Sequence, residues 1–164
     1  MGWGVKAGDW EQAPWGWVAL ERVLAYMQGA WPQEACGLLL VSVEGEWEWQ
    51  PMDNVAGHRR QAFRVGGGWV ELLRREEERH SRLACCVHSH PDGEAELSKA
   101  DIRSLAPGGQ LLWPGLMQMV VATGKEGWRE VAWFRPQGRG GGFICLGRWT
   151  RVCFEARKRG AFAI

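Results

Sequence analysis

The sequence lacks several features that would assign it to a class of protein at once. No C-x-x-C pair occurs among its five cysteines, which disfavours a zinc site built on cysteine pairs. Cys85 and Cys86 are adjacent, so a mutual disulfide is disfavoured, and we interpret all the cysteines as reduced thiols in a cytoplasmic protein. No apolar run approaches the length of a membrane span, and the first ten residues contain no apolar core of a signal peptide.

Neither sign of charge dominates the chain. The formal net charge is +1, so no global field favours nucleic acid or an anionic membrane as a partner. The basic excess is local and lies after Pro136. We interpret it as a solvated tail or a terminal helix.

The length of 164 residues is that of one domain. Apolar spacing predicts a helix through Leu20–Met27, followed by strands at 37–43, 46–50 and 63–65. A second helix that includes Trp69, a strand at 83–88, a helix from Ser98, and strands at 116–122 and 128–134 follow in chain order. This order predicts an α/β fold in which a mixed β-sheet packs between helices. We assign residues 1–135 to this domain and residues 136–164 to a basic, glycine-rich segment of unassigned role.

The stretch VHSHPDGEAELSKAD, residues 87–101, has the most informative pattern in the chain. His88 and His90 are two residues apart near the end of a predicted strand, so their side chains point to one face. Asp101 lies one turn inside the following predicted helix. Two histidines and one carboxylate form the ligand set of a catalytic zinc site, with a fourth position for a water molecule. Zinc lowers the pKa of such a water to about 7 and polarises a carbonyl.

Each of these residues also has a purely structural interpretation. A single histidine is usually structural, and Ser98-x-x-Asp101 is also a helix-capping pattern. The combination is harder to explain in this way, because the four residues at this spacing would arise by chance in about 10⁻⁴ of sequences with this composition.

A zinc hydrolase also needs a proton shuttle that is not a metal ligand. Glu34 stands in EACGLLL, between the first predicted helix and a buried predicted strand. A carboxylate at such a position requires a structural or functional explanation, so Glu34 is our candidate for the proton shuttle. Glu94 and Glu96 are the alternatives, although we expect both to be solvated in their loop.

The residues His88-Ser-His90-Pro91, Gly93, Ser98 and Asp101, with Glu34-Ala-Cys36-Gly37 upstream, closely resemble the motif of the JAMM (MPN+) metalloprotease family, prokaryotic type. The likeness extends over roughly residues 15 to 135. The His-x-His-Pro and Ser-x-x-Asp part alone also resembles the RadC family, but EACGLLL and the short chain favour JAMM.

The resemblance implies a single MPN-like domain and a role for each residue. His88, His90 and Asp101 would hold one Zn²⁺ per chain. Glu34 would take a proton from the zinc-bound water, which is the nucleophile, and pass it to the leaving amine. Ser98 would donate to the oxyanion of the tetrahedral intermediate.

The resemblance also implies a substrate. Relatives cleave after the C-terminal glycines of ubiquitin-like proteins, so we expect cleavage after Gly-Gly of a ubiquitin-like modifier or sulfur-carrier protein. The reaction would release a target or process a precursor, and an adenylating enzyme is a further candidate partner. We predict a short strand at Phe63, Arg64 and Val65, to which the extended tail could add by backbone hydrogen bonds.

Three other functions are weighed against this one. A non-catalytic MPN scaffold usually lacks a metal ligand or the glutamate, whereas all five positions are filled here. A JAMM peptidase of a phage-tail or cell-wall system is usually fused to, or encoded beside, other modules of that system. A zinc deaminase would show His-x-Glu and Pro-Cys-x-x-Cys, and this sequence has neither.

Overall fold

Two groups of three consecutive strands, with helices before, between and after them, make up this computed structural model, which describes residues 16–54, 74, 78, 81–138 and 140–159. The helices are α1 (Gly16–Ala30), α2 (Lys99–Leu105) and α3 (Arg151–Lys158), and a 3₁₀ turn at Pro107–Gly109 follows α2. The strands are β1 (Cys36–Ser42), β2 (Trp47–Met52), β3 (Ser81–Pro91), β4 (Met117–Gly124), β5 (Gly127–Gln137) and β6 (Gly142–Thr150).

The six strands form one mixed sheet in the order β2-β1-β3-β4-β5-β6. Strands β3 and β4 are parallel, and the other neighbouring pairs are antiparallel. A parallel pair needs a crossover, and here the crossover contains α2 and the 3₁₀ turn. The predicted α/β fold, a single domain with a mixed sheet, is therefore confirmed.

The first face of the sheet packs against α1. The helix buries the stripe that its spacing predicts: Leu20, Val23, Leu24 and Met27 are each no more than 2% exposed. They share one core with Met119 and Trp133 of the sheet and with other apolar residues. Burying one such side chain contributes about 1.5–3 kcal/mol relative to leaving it in water, so this face supplies much of the stability.

The second face of the sheet carries the histidines. Strand alternation places His88 and His90 on the side of β3 opposite to Val87, which packs towards α1. On the second face, Val120 and Ala122 pack against Ala95, a fully buried residue of the loop that follows β3. This contact brings residues 91–98 back across the sheet and leads the chain to α2.

The C-terminal segment adds a strand that the sequence does not predict. Strand β6 pairs antiparallel with β5 along its length, and α3 inserts Phe154, 2% exposed, into the core of the first face. The terminal helix is one of the two predicted alternatives. Strand β5 runs through residue 135, and the division of the chain at that point stays a prediction.

Some predicted elements lie outside the described residues. These are the strand at Phe63–Val65 and most of the helix that includes Trp69, of which only Arg74 and Glu78 are described, both helical. In the described ranges, no helix is both long enough and apolar enough to cross a membrane.

Candidate metal centre

Strand β3 places the two histidines directly. The strand runs to Pro91, so both residues lie inside it, whereas the sequence prediction ends the strand at residue 88. Their rings share one face, and the two Nε2 atoms are 3.1 Å apart. His88 is fully buried and His90 is partly buried.

The third group arrives from the first turn of α2. Ser98 is the N-cap, and its Oγ accepts a hydrogen bond from the Asp101 backbone N–H at 3.0 Å. In return, Asp101 Oδ2 accepts from the Ser98 backbone N–H at 2.7 Å. This capping box fixes the carboxylate, whose Oδ2 lies 3.4 Å from His88 Nε2 and 3.2 Å from His90 Nε2. The helix-capping role of Asp101 and its candidate role as a metal ligand are therefore compatible.

The distances among these three atoms fit one metal ion. In a tetrahedral site with ligand bonds of about 2.0–2.1 Å, the ligand atoms are about 3.3 Å from one another. The observed separations are 3.1, 3.2 and 3.4 Å. Among the described residues, His88, His90 and Asp101 are the group of histidine, cysteine and acidic side chains that could hold a metal. Three protein ligands also leave a fourth position for water or substrate.

Local contacts orient His90 and shift the pKa values of the two histidines in opposite directions. His90 Nδ1 lies 2.9 Å from the Glu94 carbonyl, which can only accept, so Nδ1 carries a proton and Nε2 is the ring nitrogen that would bind a metal. Burial lowers the pKa of His88 and so favours the neutral ring. Burial also acts to lower the pKa of His90, but the Asp101 carboxylate and the Glu94 carbonyl outweigh it and raise that pKa.

The carboxylate of Asp101 is ionised. Burial acts to raise its pKa, but hydrogen bonds from His88 and His90 outweigh burial and hold the pKa well below its usual range. An ionised carboxylate beside two imidazoles is the donor set that binds a divalent transition metal.

Glu34 lies on the same face as the histidines. Cys36 pairs with His88, and Ser89 N donates to Ala35 O at 2.9 Å, so the antiparallel register continues and sets Glu34 opposite His90. The residue is 8% exposed. Burial raises the pKa of Glu34 to about 7, with a lowering contribution from His90 and a raising one from Asp101. A carboxyl group of this pKa can accept and release a proton near neutral pH.

Two residues that the sequence does not single out hold Glu34 in place. The buried Ser89 Oγ accepts a hydrogen bond from the Ala35 backbone N–H at 2.9 Å. Asn54 Nδ2 donates to the Glu34 carbonyl at 2.8 Å. The position of Ser89 between two histidines could have drawn attention to it, but Asn54 carries no signal in the sequence.

The remaining predicted residues divide into two groups. Glu94 and Glu96 are exposed, as expected, and Glu96 is ion-paired with Arg148. Phe63, Arg64 and Val65 lie outside the described residues.

Fold and site together define a class of protein: an α/β domain whose mixed sheet carries a candidate mononuclear metal centre beside a buried carboxyl group. A family model for prokaryotic homologs of the JAB domain matches residues 18–135. The chain belongs to this prokaryotic JAB family, which confirms the resemblance to JAMM/MPN proteins and includes metalloproteases.

Two solved structures of low sequence identity share this fold. A solution structure from Desulfitobacterium hafniense has a TM-score of 0.61 at 19% identity, covering 79% of this chain and 86% of its own. A solution structure from Salinibacter ruber has a TM-score of 0.58 at 18% identity, with the same coverage of 79% and 86%. A JAB1/MPN domain protein from Archaeoglobus fulgidus has a TM-score of 0.43 at 19% identity, covering 77% and 89%. No curated protein matches the sequence.

Proposed function

We propose that the chain is a zinc-dependent isopeptidase or peptidase that cleaves after the C-terminal Gly-Gly of a ubiquitin-like protein. The observation that carries this proposal is the convergence of His88 Nε2, His90 Nε2 and Asp101 Oδ2 at 3.1–3.4 Å from one another. A bound zinc ion would supply Lewis acidity that polarises the scissile carbonyl and acidifies a water molecule.

Glu34 is the group that moves the proton. Its carboxyl group lies on the face that carries His90, and burial holds its pKa near 7. It would accept a proton from the attacking water and deliver it to the nitrogen of the leaving amine. The hydrogen bonds that the Ala35 N–H donates to Ser89 Oγ and that Asn54 Nδ2 donates to the Glu34 carbonyl reduce the freedom of Glu34 to move away from that position.

Ser98 is the group that would stabilise the developing negative charge. Its Oγ accepts from the Asp101 N–H, and that bond leaves the hydroxyl hydrogen for a second contact. The hydroxyl would donate to the carbonyl oxygen as that oxygen becomes negative.

The substrate is proposed from the family resemblance and from the sequence of residues 63–68. An extended tail would add to the strand that the sequence predicts at Phe63, Arg64 and Val65, and the three glycines that follow would let this strand adapt to the tail. A tail held close to the metal leaves little room for a Cβ, which favours glycine at the cleaved bond. The proposed setting is cytoplasmic, with a modifier or sulfur-carrier protein, its conjugates and an adenylating enzyme as partners.

The test uses two fusion substrates that differ in one residue. In one, a ubiquitin-like domain ending in Gly-Gly precedes the scissile bond, and in the other it ends in Gly-Ala. Zinc-loaded protein should cut the first after its last glycine and the second far more slowly, as followed by mass spectrometry. The His90→Ala variant is the matched control and should cut neither.

Each alternative outcome has a distinct meaning. Equal cleavage of both substrates, or cleavage elsewhere, would show a more general peptidase. Zinc binding with no cleavage of any fusion would favour a binding scaffold of the same family.

A further inference from the structure

Residues 91–98, here called the ligand loop, connect His90 to the cap of α2 and so join two of the candidate ligands. The loop is fixed at its start, where Asp92 N donates to the Thr123 carbonyl at 2.7 Å and Trp31 Nε1 donates to Asp92 Oδ1 at 3.2 Å. Ala95 packs on the sheet in the middle of the loop.

The loop also supplies the partner of a candidate ligand. The Glu94 carbonyl accepts the hydrogen bond from His90 Nδ1 at 2.9 Å. A hydrogen bond of this kind sets the tautomer and the ring orientation of a metal-binding histidine. The position of one backbone carbonyl therefore controls the direction of His90 Nε2.

Two arginines hold the residues on either side of Glu94. Arg129 of β5 donates from Nη2 to the Gly93 carbonyl. Arg148 of β6 donates from Nη2 to the Glu96 carboxylate and from Nη1 to Glu130 Oε1, the latter at 3.1 Å. Arg148 thus ties the loop to the last two strands of the sheet.

The sheet register explains why these strands can reach the loop. His90 pairs with Ala122, and Ala122 pairs with Glu130, so Glu130 is on the histidine face two strands away from His90. On β6, Arg148 pairs with Ala132 of β5 and extends the same face to the sheet edge. Arg148 and Glu96 are 42% and 54% exposed, and an exposed ion pair adds little stability. The ion pair acts instead on the position of the ligand loop.

We infer that Arg129 and Arg148 are positioning residues of the metal centre. They hold the Glu94 carbonyl where it accepts the hydrogen bond from His90 Nδ1, and so they aim His90 Nε2 at the metal position. The inference rests on the proposed zinc site but not on its peptidase activity. It also makes β6, which lies outside the family match at 18–135, part of the functional unit.

The first experiment measures zinc affinity by competition with a chromophoric chelator, without any substrate. Arg129→Gln and Arg148→Gln should each weaken zinc binding about 10-fold or more, as loss of the partners that orient metal ligands does. Arg135→Gln is the matched control, because Arg135 is an exposed arginine of β5 that pairs with Ile144 at the other end of the strand. It should leave the affinity unchanged.

A charge swap separates positioning from general stability. Arg148→Glu alone should weaken zinc binding most, because it sets a carboxylate against Glu96 and Glu130. The double variant Arg148→Glu with Glu96→Arg places an arginine on the loop opposite two carboxylates and should restore most of the affinity. Hydrogen exchange of the metal-free protein should show faster exchange in the ligand loop for Arg148→Glu and recovery in the double variant.

The outcomes distinguish the inference from the proposed function. If the unaltered chain binds zinc and the arginine variants bind it equally well while remaining folded, the inference is overturned and the proposed function stands. If the variants only melt at lower temperature, with unchanged affinity in the folded range, the arginines are structural and the inference is again overturned. An unaltered chain that binds no zinc overturns both.

Discussion

Glu34 is a carboxyl group in a place where a carboxylate is costly, because the residue is 8% exposed and burial raises its pKa to about 7. We expect Glu34→Gln to keep the fold and the zinc, since glutamine has nearly the same shape and Glu34 is not among the candidate ligands. Its turnover of a cleaved substrate should fall at least about 10²-fold, as for other lost general bases. Turnover near that of the unaltered chain in a zinc-loaded variant would remove Glu34 from the mechanism.

Ser98 has two roles that one pair of substitutions can separate. Ser98→Ala removes the cap of α2 and should lower the free energy of unfolding by about 1 kcal/mol. It should also lower kcat by about 10²-fold if the hydroxyl stabilises the oxyanion. Ser98→Thr keeps a hydroxyl and should retain most of both. A lower melting temperature with normal kcat would leave capping as the whole role of Ser98.

The candidate ligands could be predicted from the sequence because short-range geometry places them. His88 and His90 are two residues apart on one strand, and Asp101 lies three residues after the cap of a helix. These short spacings are enough to predict that the three side chains converge. The partners of Glu34 could not be predicted, because Ser89 and Asn54 are 54 and 20 residues from the groups they contact. Those contacts depend on which strands become neighbours.

At the scale of the secondary-structure elements, β6 shows that a glycine can lie inside a strand when a neighbouring strand fills the space of its side chain. In the sequence, the glycines after residue 137 indicate a break in regular structure. In the fold, Gly147 lies inside β6, and the Trp133 ring occupies the space where a Cβ of residue 147 would be. Nothing local in the sequence connects Gly147 to Trp133, so the strand was not predictable by period alone.

This contact makes a prediction for β6. Gly147→Ala forces the Trp133 ring or the strand to move, and we expect a loss of about 1–3 kcal/mol in the free energy of unfolding. Gly138→Ala is the matched control in the preceding turn, because a Cβ there meets no atom within 4 Å. Urea denaturation of both variants measures the difference. Equal stability of the two would contradict the close packing of Trp133 on β6.

At the scale of the whole molecule, the candidate site draws on most of the sheet. Strand β3 carries the histidines, the segment before β1 carries Glu34, and α2 carries Asp101. Strands β5 and β6 contact the ligand loop, which connects β3 to α2, through Arg129 and Arg148. The fold class could be predicted from the order of segments with helical and strand periodicity, but the strand order in the sheet could not, because each neighbour relation depends on long-range packing.

The most direct test of the account is the metal content of the purified protein. The separations of 3.1–3.4 Å predict that the zinc-loaded chain, freed of excess metal and measured by inductively coupled plasma mass spectrometry, holds about one zinc ion per chain. Glu34→Gln should hold the same amount, while the double variant His88→Ala with Asp101→Ala should hold almost none. Stoichiometric zinc in that double variant, or none in the unaltered chain, would contradict the central claim.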